Sequence, residues 1–179
     1  SAVPASYSID VVSLATAQSL STAAGAITDA SNMGAGTITI TRGATSIPIT
    51  IVDGTSLAAL RTQINAAQAG VTAAIIQDGA SPRLVLTGRD TGAANAVTVA
   101  VTGATGQLNA LVYPAGMTQD RPAADAVLRI NGLQISSASN TLSNVAIPQK
   151  ALGVFGGFVT AARVMAVLMT LVGCALLGW

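Results

Sequence analysis

Gly36-Thr-Ile-Thr-Ile-Thr-Arg42 and Ile47-Pro-Ile-Thr-Ile51 each place isoleucine at every second position. Each run therefore presents one apolar face with the two-residue period of a half-buried strand, and Arg42-Gly43-Ala44-Thr45 supplies the turn between them. The period then changes. In Ser56-Leu-Ala-Ala-Leu-Arg-Thr-Gln-Ile-Asn-Ala-Ala67 the residues Leu57, Leu60, Ile64 and Ala67 fall on one helical stripe. Thr55 or Ser56 is placed to cap the first turn, and Gly70 stands where a glycine ends a helix. Strand character returns in Val71–Gln77 and Leu84–Thr87, connected through Asp78-Gly-Ala-Ser-Pro82. The pattern predicts a β-β-α-β-β unit, in which one amphipathic helix covers one sheet face and the other face is left to water or a neighbouring subunit. Its expected core is Ile38, Ile40, Ile49, Ile51, Leu57, Leu60, Ile64, Ile75, Leu84, Leu86, Val97 and Val99.

Before this unit, Tyr7, Ile9 and Val11 alternate with Ser8, Asp10 and Val12 as a first strand. Leu14–Leu20 has partial helical spacing that Ser21-Thr-Ala-Ala-Gly25 dissolves, so it reads as a short helical turn or an irregular arm. Ser31–Gly36 is a loop. A strand follows its Gly34-x-Gly36, where a phosphate loop would need a helix N-terminus, so a nucleotide reading fails on context. After the unit, Val97, Val99 and Val101 mark a strand, Gly103–Gly106 a turn, and Gln107–Val112 one helical turn carrying Leu108 and Leu111. Tyr113–Pro122 reads as a Pro/Gly loop and an internal boundary. Ala126–Ile130 and Leu133–Ser136 flank Asn131-Gly132, a pair that tolerates the positive φ of a type I′ hairpin turn.

Several blocks resemble a known family. Gly36–Ile40, the helix with Ile64-Asn65-Ala66-Ala67, Gly70-Val-Thr-Ala73, Arg83–Thr87 and Thr91-Gly-Ala-Ala-Asn95 resemble the flagellin/hook IN motif of bacterial flagellar axial proteins. Tyr7–Val11 with Leu14–Leu20, and Ile130–Ile135 with Ser139–Val145, are similar to the flagellar filament-capping (FliD) family. The joint resemblance covers about residues 1–145. It implies a structural component of the bacterial flagellum, extracellular at the filament tip, whose partners are flagellin and other cap subunits in a homo-oligomer. It also implies helical, coiled-coil-forming segments at both ends. The first is missing ahead of Tyr7, so the chain is expected to begin partway through a longer protein.

Composition excludes other classes. The 179 residues are 51% hydrophobic but only 3% aromatic, so the core must be built from Ile, Val, Leu and Ala. Eight basic residues stand singly against seven acids, all aspartate, which leaves no phosphate-neutralising patch for nucleic acid. Without histidine there is no His-based triad or histidine metal site. Cys174 has no partner for a disulfide or thiol site. Asp90-Thr91-Gly92 spells the aspartic-protease tripeptide, but Arg89 stands where an apolar strand residue belongs, and a turn is the simpler reading. Asp53-Gly54-Thr55 and Asp78-Gly79 read as turns, with no second acid at calcium-loop spacing. No catalytic, cofactor-binding or metal residues are assigned, no cofactor is expected, and the chain is not read as an enzyme. No N-terminal signal peptide is present in Ser1-Ala-Val-Pro-Ala-Ser6.

The tail is a different kind of text. Ala151–Trp179 carries one charge, Arg163, and Val164–Trp179 carries none. A helix of about 20 residues spans a bilayer core, so residues 151–179 form an apolar helix able to contact or cross a membrane. The filament-capping resemblance stops before this point. The tail from about Ala146 is therefore expected to be a non-native extension produced by a reading-frame change, gene fusion or assembly error, with a true membrane anchor as the alternative.

The resulting expectation is an α+β chain of mainly antiparallel strands with one amphipathic helix and a C-terminal apolar helix. Its segments are an N-terminal strand and arm (1–35), the β-β-α-β-β unit (36–106), a loop and hairpin (107–145) and the apolar tail (146–179). The expected function is a structural fragment of the flagellar filament cap. The alternative is a membrane-tethered adhesion or binding module on the same fold.

Overall fold

The computed structural model describes residues 8–79 and 81–142. The apolar-helix and membrane-contact expectations for the tail, and Cys174, lie outside these residues. The strands are β1 (Ile9–Ser13), β2 (Ser19–Thr22), β3 (Gly36–Arg42), β4 (Thr45–Ile51), β5 (Val71–Asp78), β6 (Ser81–Gly88), β7 (Val97–Thr102), β8 (Met117–Arg121), β9 (Ala126–Ile130) and β10 (Leu133–Ser137), with one α-helix, α1 (Leu57–Ala66). They form three antiparallel sheets ordered β4-β3-β7, β5-β6-β2-β8 and β1-β9-β10. Among the described residues the fold is thus mainly antiparallel β with one α-helix, as the periodicities predict.

Helix α1 starts as expected, with the Ser56 hydroxyl accepting from Ala59 N–H at 3.2 Å. Its end differs. Ala67 is the C-cap and Gln68 takes the left-handed conformation at φ 51°, so the helix has already stopped two residues before Gly70. Leu57, Leu60 and Ile64 are buried on the stripe read from the sequence, with Ala67 packed at its margin. Both two-residue hairpins of the unit form, Arg42 pairing with Thr45 and Asp78 with Ser81.

The two hairpins do not share a sheet. β3-β4 recruits β7, and β5-β6 recruits β2 and β8, so the inward faces of two sheets close on α1 around one core. Eleven of the twelve expected core residues are buried, and Ile75 is only partly so. The core also takes Leu20, Ile27, Met33, Val71, Leu108, Leu111 and Met117, which the sequence did not single out as core.

Two readings are corrected here. Leu14–Gln18 is irregular apart from the Thr16–Ala124 bridge, as one of the two readings had it, but Ser19–Thr22 is neither a helical turn nor an arm: it is a strand in the interior of the four-stranded sheet, pairing Leu20 with Leu86 and Gln119. Tyr113–Pro122 is not all loop, because Met117–Arg121 is the strand that flanks β2. Each has a single apolar residue, Leu20 or Met117, and its polar neighbours find partners far away in sequence. Ser21 Oγ donates to Asp120 Oδ1 at 3.0 Å and accepts from Arg83 Nη2 at 2.7 Å, while Thr22 Oγ1 accepts from Leu84 N–H at 3.1 Å. Satisfied in this way, polar side chains can be buried without large cost.

The third sheet joins the two ends of the described chain. β9 and β10 form the expected hairpin, with Asn131 and Gly132 both at positive φ (48° and 82°), and β1 pairs along the other side of β9 with a bulge between Val11 and Ser13. Everything from β2 to β8 is therefore inserted between two neighbouring strands of a small sheet.

Candidate functional site

Four places concentrate side-chain chemistry or exposed apolar surface. The first is the edge of β5. Asn65, at the end of α1, accepts from Ala73 N–H at 2.7 Å through Oδ1 and donates to the Ala73 carbonyl at 2.9 Å through Nδ2. Its neighbour Ile64 is fully buried. The Ile64-Asn65 dipeptide thus anchors the helix twice, once by burial and once by satisfying both backbone groups of a strand residue.

The second is the junction between the inserted body and the small sheet, which runs through Asp90-Thr91-Gly92. Thr91 Oγ1 donates to the Ala138 carbonyl at 2.8 Å, Gly92 N–H to Thr16 O at 3.2 Å, and Ala93 N–H to Asp125 Oδ1 at 2.7 Å. Thr16 and Ala124 exchange backbone hydrogen bonds of 2.9 and 3.1 Å where the chain crosses in and out. Asn140 clamps Ala15 in the same two-sided manner that Asn65 uses on Ala73, at 2.7 and 3.0 Å. Asp90 is ion-paired with Arg42. The tripeptide is therefore a structural turn, as read from the sequence. An aspartic-protease dyad needs two carboxylates sharing a proton, and this carboxylate faces a guanidinium. The pair is largely exposed and contributes at most about 1 kcal/mol.

The third is an open polar cleft lined by Thr28, Asp29, Asn32, Asp53, Gly34 and Gln107. Its groups are largely engaged with one another. Asn32 donates to Asp53 and accepts from Gly34 and Gly54 N–H, and Gln107 donates to the Asp29 and Asn32 carbonyls at 2.7 and 3.1 Å. The backbone of Thr105 packs directly against Gly34, presenting a carbonyl oxygen where a phosphate loop would present amides. Among the described residues no three His, Cys, Asp or Glu side chains come together as a metal site.

Asp29 makes one testable statement. The Ser31 hydroxyl, at 2.6 Å, is the largest influence holding its carboxyl below the ordinary 3.8, followed by the N–H groups of Ser31 and Asn32. A carboxyl lowered in the folded chain favours folding above its ordinary value, and that contribution disappears as pH falls through the folded value. The Ser31 amide resonance is expected to titrate below pH 3.8 in the native chain and to lose that transition in Asp29→Asn.

The fourth is the small sheet's apolar face. Register places Ile9, Ile130 and Leu133 in one row and Val11, Leu128 and Ile135 in the next. Leu142 packs on this face, yet Ile9, Val11 and Leu133 remain 43–50% exposed. The opposite face carries Asp10, Arg129 and Gln134.

The chain as a whole is similar to known proteins. The family model described as the flagellin hook IN motif matches residues 37–90, which begin in β3 and end just after β6. The crystal structure of the flagellar cap protein FliD D2-D3 domains from Escherichia coli is 36% identical to this chain, with TM-score 0.69, covering 77% of this chain and 75% of that one. The chain belongs to the FliD filament-cap family. The D2-D3 domains of the Serratia marcescens cap protein give TM-score 0.71 at 32% identity, over 80% of this chain and 83% of that one. Flagellar hook-associated protein 2 of Escherichia coli (strain K12) is 36% identical over 160 residues, 80% of this chain. This chain spans about a third of that curated relative's length. Ile64-Asn65, inside the matched residues, lies at the α1-β5 contact, and Thr91-Gly92, just beyond them, at the junction of the inserted body and the small sheet.

Proposed function

We propose that the chain contributes the outer, sheet-built part of a bacterial flagellar filament cap, in contact with flagellin and with other cap subunits at the extracellular tip. The observation that carries this reading is the extent of the likeness. It extends across 77% of this chain and 75% of the solved Escherichia coli FliD D2-D3 domains. Such a role rests on rigid surfaces rather than on a catalytic group, and its relatives are named as a flagellar hook-associated protein and a flagellar cap protein. The membrane-tethered adhesion alternative has no support among those relatives. Among the described residues no helix is long and apolar enough to cross a membrane.

The test is a graft. Residues 8–142 replacing the matching region of a full-length FliD are expected to support filament growth in a cap-deficient strain. A chimera that folds and is exported, yet leaves flagellin unpolymerised, would remove the proposal.

A further inference from the structure

The Asn65 clasp has a consequence for how copies of this chain meet. In the described structure β5 is an edge strand, paired only with β6. On β6, Leu84 and Gly88 send their N–H groups away from β5, to Thr22 Oγ1 and Gln18 O. Their β5 partners Ile75 and Val71 are therefore non-hydrogen-bonded pairs, and by the alternation of an antiparallel ladder Val71, Ala73, Ile75 and Gln77 turn their backbone groups to the open edge. From Val71 to Gln77 this edge has no charge and no proline, and Ile76 is 54% exposed. These are the properties of a strand that pairs with another chain. Two other edges are guarded by sequence: β4 carries Pro48, and β8 carries Asp120 and Arg121.

The β5 edge is also complementary to itself. A two-fold axis at Ala74 would bring Ala73 opposite Ile75 and Val71 opposite Gln77 of a second copy, all four with outward backbone groups, and Thr72 opposite Ile76 with no charge to repel. Asn65 occupies both hydrogen-bonding groups of Ala73, at the centre of that pairing. We infer that Asn65 is the gate of this edge: its amide stands in for a neighbouring strand and keeps β5 of one FliD-like copy from pairing with β5 of another. The two sheets would otherwise merge into one continuous sheet across the two-fold.

The experiment compares the full 179-residue chain with Asn65→Ala and with Asn65→Ala/Ala74→Lys. It reads hydrogen exchange across residues 71–79 and sedimentation, each at low and high protein concentration. In the dilute Asn65→Ala chain the Ala73 amide is expected to exchange roughly five- to tenfold faster than in the parent. At high concentration that protection should return together with a larger sedimenting species. Lysine at the exposed position 74 should abolish both changes, because like charges then face each other across the axis. Asn65→Leu, branched at Cγ like asparagine but without the amide, answers the same question if Asn65→Ala does not fold. A folded Asn65 variant whose exchange and sedimentation are independent of concentration overturns the inference. So does self-association that survives Ala74→Lys.

Discussion

Leu20→Ala is expected to destabilise the chain by about 2–5 kcal/mol, read as a lowered urea midpoint with little change in slope. Leu20 is completely buried, and it lies in an interior strand that touches Leu86 on one side and Gln119 on the other. Removing three carbons there leaves a cavity that two sheet neighbours and the opposing sheet cannot all move to fill. Leu133→Ala is the comparison. That side chain is half exposed on the small sheet, and its loss should stay within about 0.5 kcal/mol. Similar midpoints for the two variants would mean that Ser19–Thr22 is not held inside the four-stranded sheet.

Gly92→Val should cost a comparable amount, about 2–6 kcal/mol, for a different reason. Gly92 sits at φ 101°, which a β-branched residue adopts only under strain of about 1–3 kcal/mol. Any Cβ there also lands 2.8 Å from both the Cβ and the carbonyl oxygen of Ala138, so crowding of about 1–3 kcal/mol is added. Relief requires Ala138 to retreat, which takes away the acceptor of the Thr91 hydroxyl and loosens the inserted body from the small sheet. Gly25→Val separates the two terms. Gly25 has φ 73° but nothing within 4 Å of its missing side chain, so it should show the backbone strain alone. Equal losses at both positions would show that the contact with Ala138 carries no weight.

The parts of this fold legible in the sequence are those whose signal is local. Isoleucine alternation in β3 and β4, the leucine and isoleucine stripe of α1 and the Asn131-Gly132 turn each declare themselves within a few residues, and each forms as read. β2 and β8 were not legible because their stabilisation is non-local. Ser21 and Thr22 are buried only because Arg83, Leu84 and Asp120 supply hydrogen bonds across some sixty to a hundred residues. Gln18 shows the same logic: it is 2% exposed, with Oε1 accepting from Val97 N–H and Nε2 donating to Gln119. No pattern of apolar residues announces such a strand. The end of α1 misled for a subtler reason. Gly70 is a plausible terminator, but Gln68 already takes the left-handed turn, and Gly70 lies under the Arg42 side chain instead. For the candidate sites, Ile64-Asn65 and Asp90-Thr91-Gly92 were visible as words. Their partners Ala73 and Ala138 were not, since alanine carries no signal of its own.

The way the chain enters and leaves its inserted body bears on the order in which it folds. β1 has no partner until β9 is made, and for a flexible chain the closure of everything between Leu14 and Asp125 would cost on the order of 4 kcal/mol of entropy. Once the inserted body has folded, the Thr16–Ala124 bridge holds its two exits side by side, and most of that cost is already met. The small sheet is thus a late-forming clasp: it should be the first part to melt and the last to return, and its own residues need supply only the final, short-range pairing.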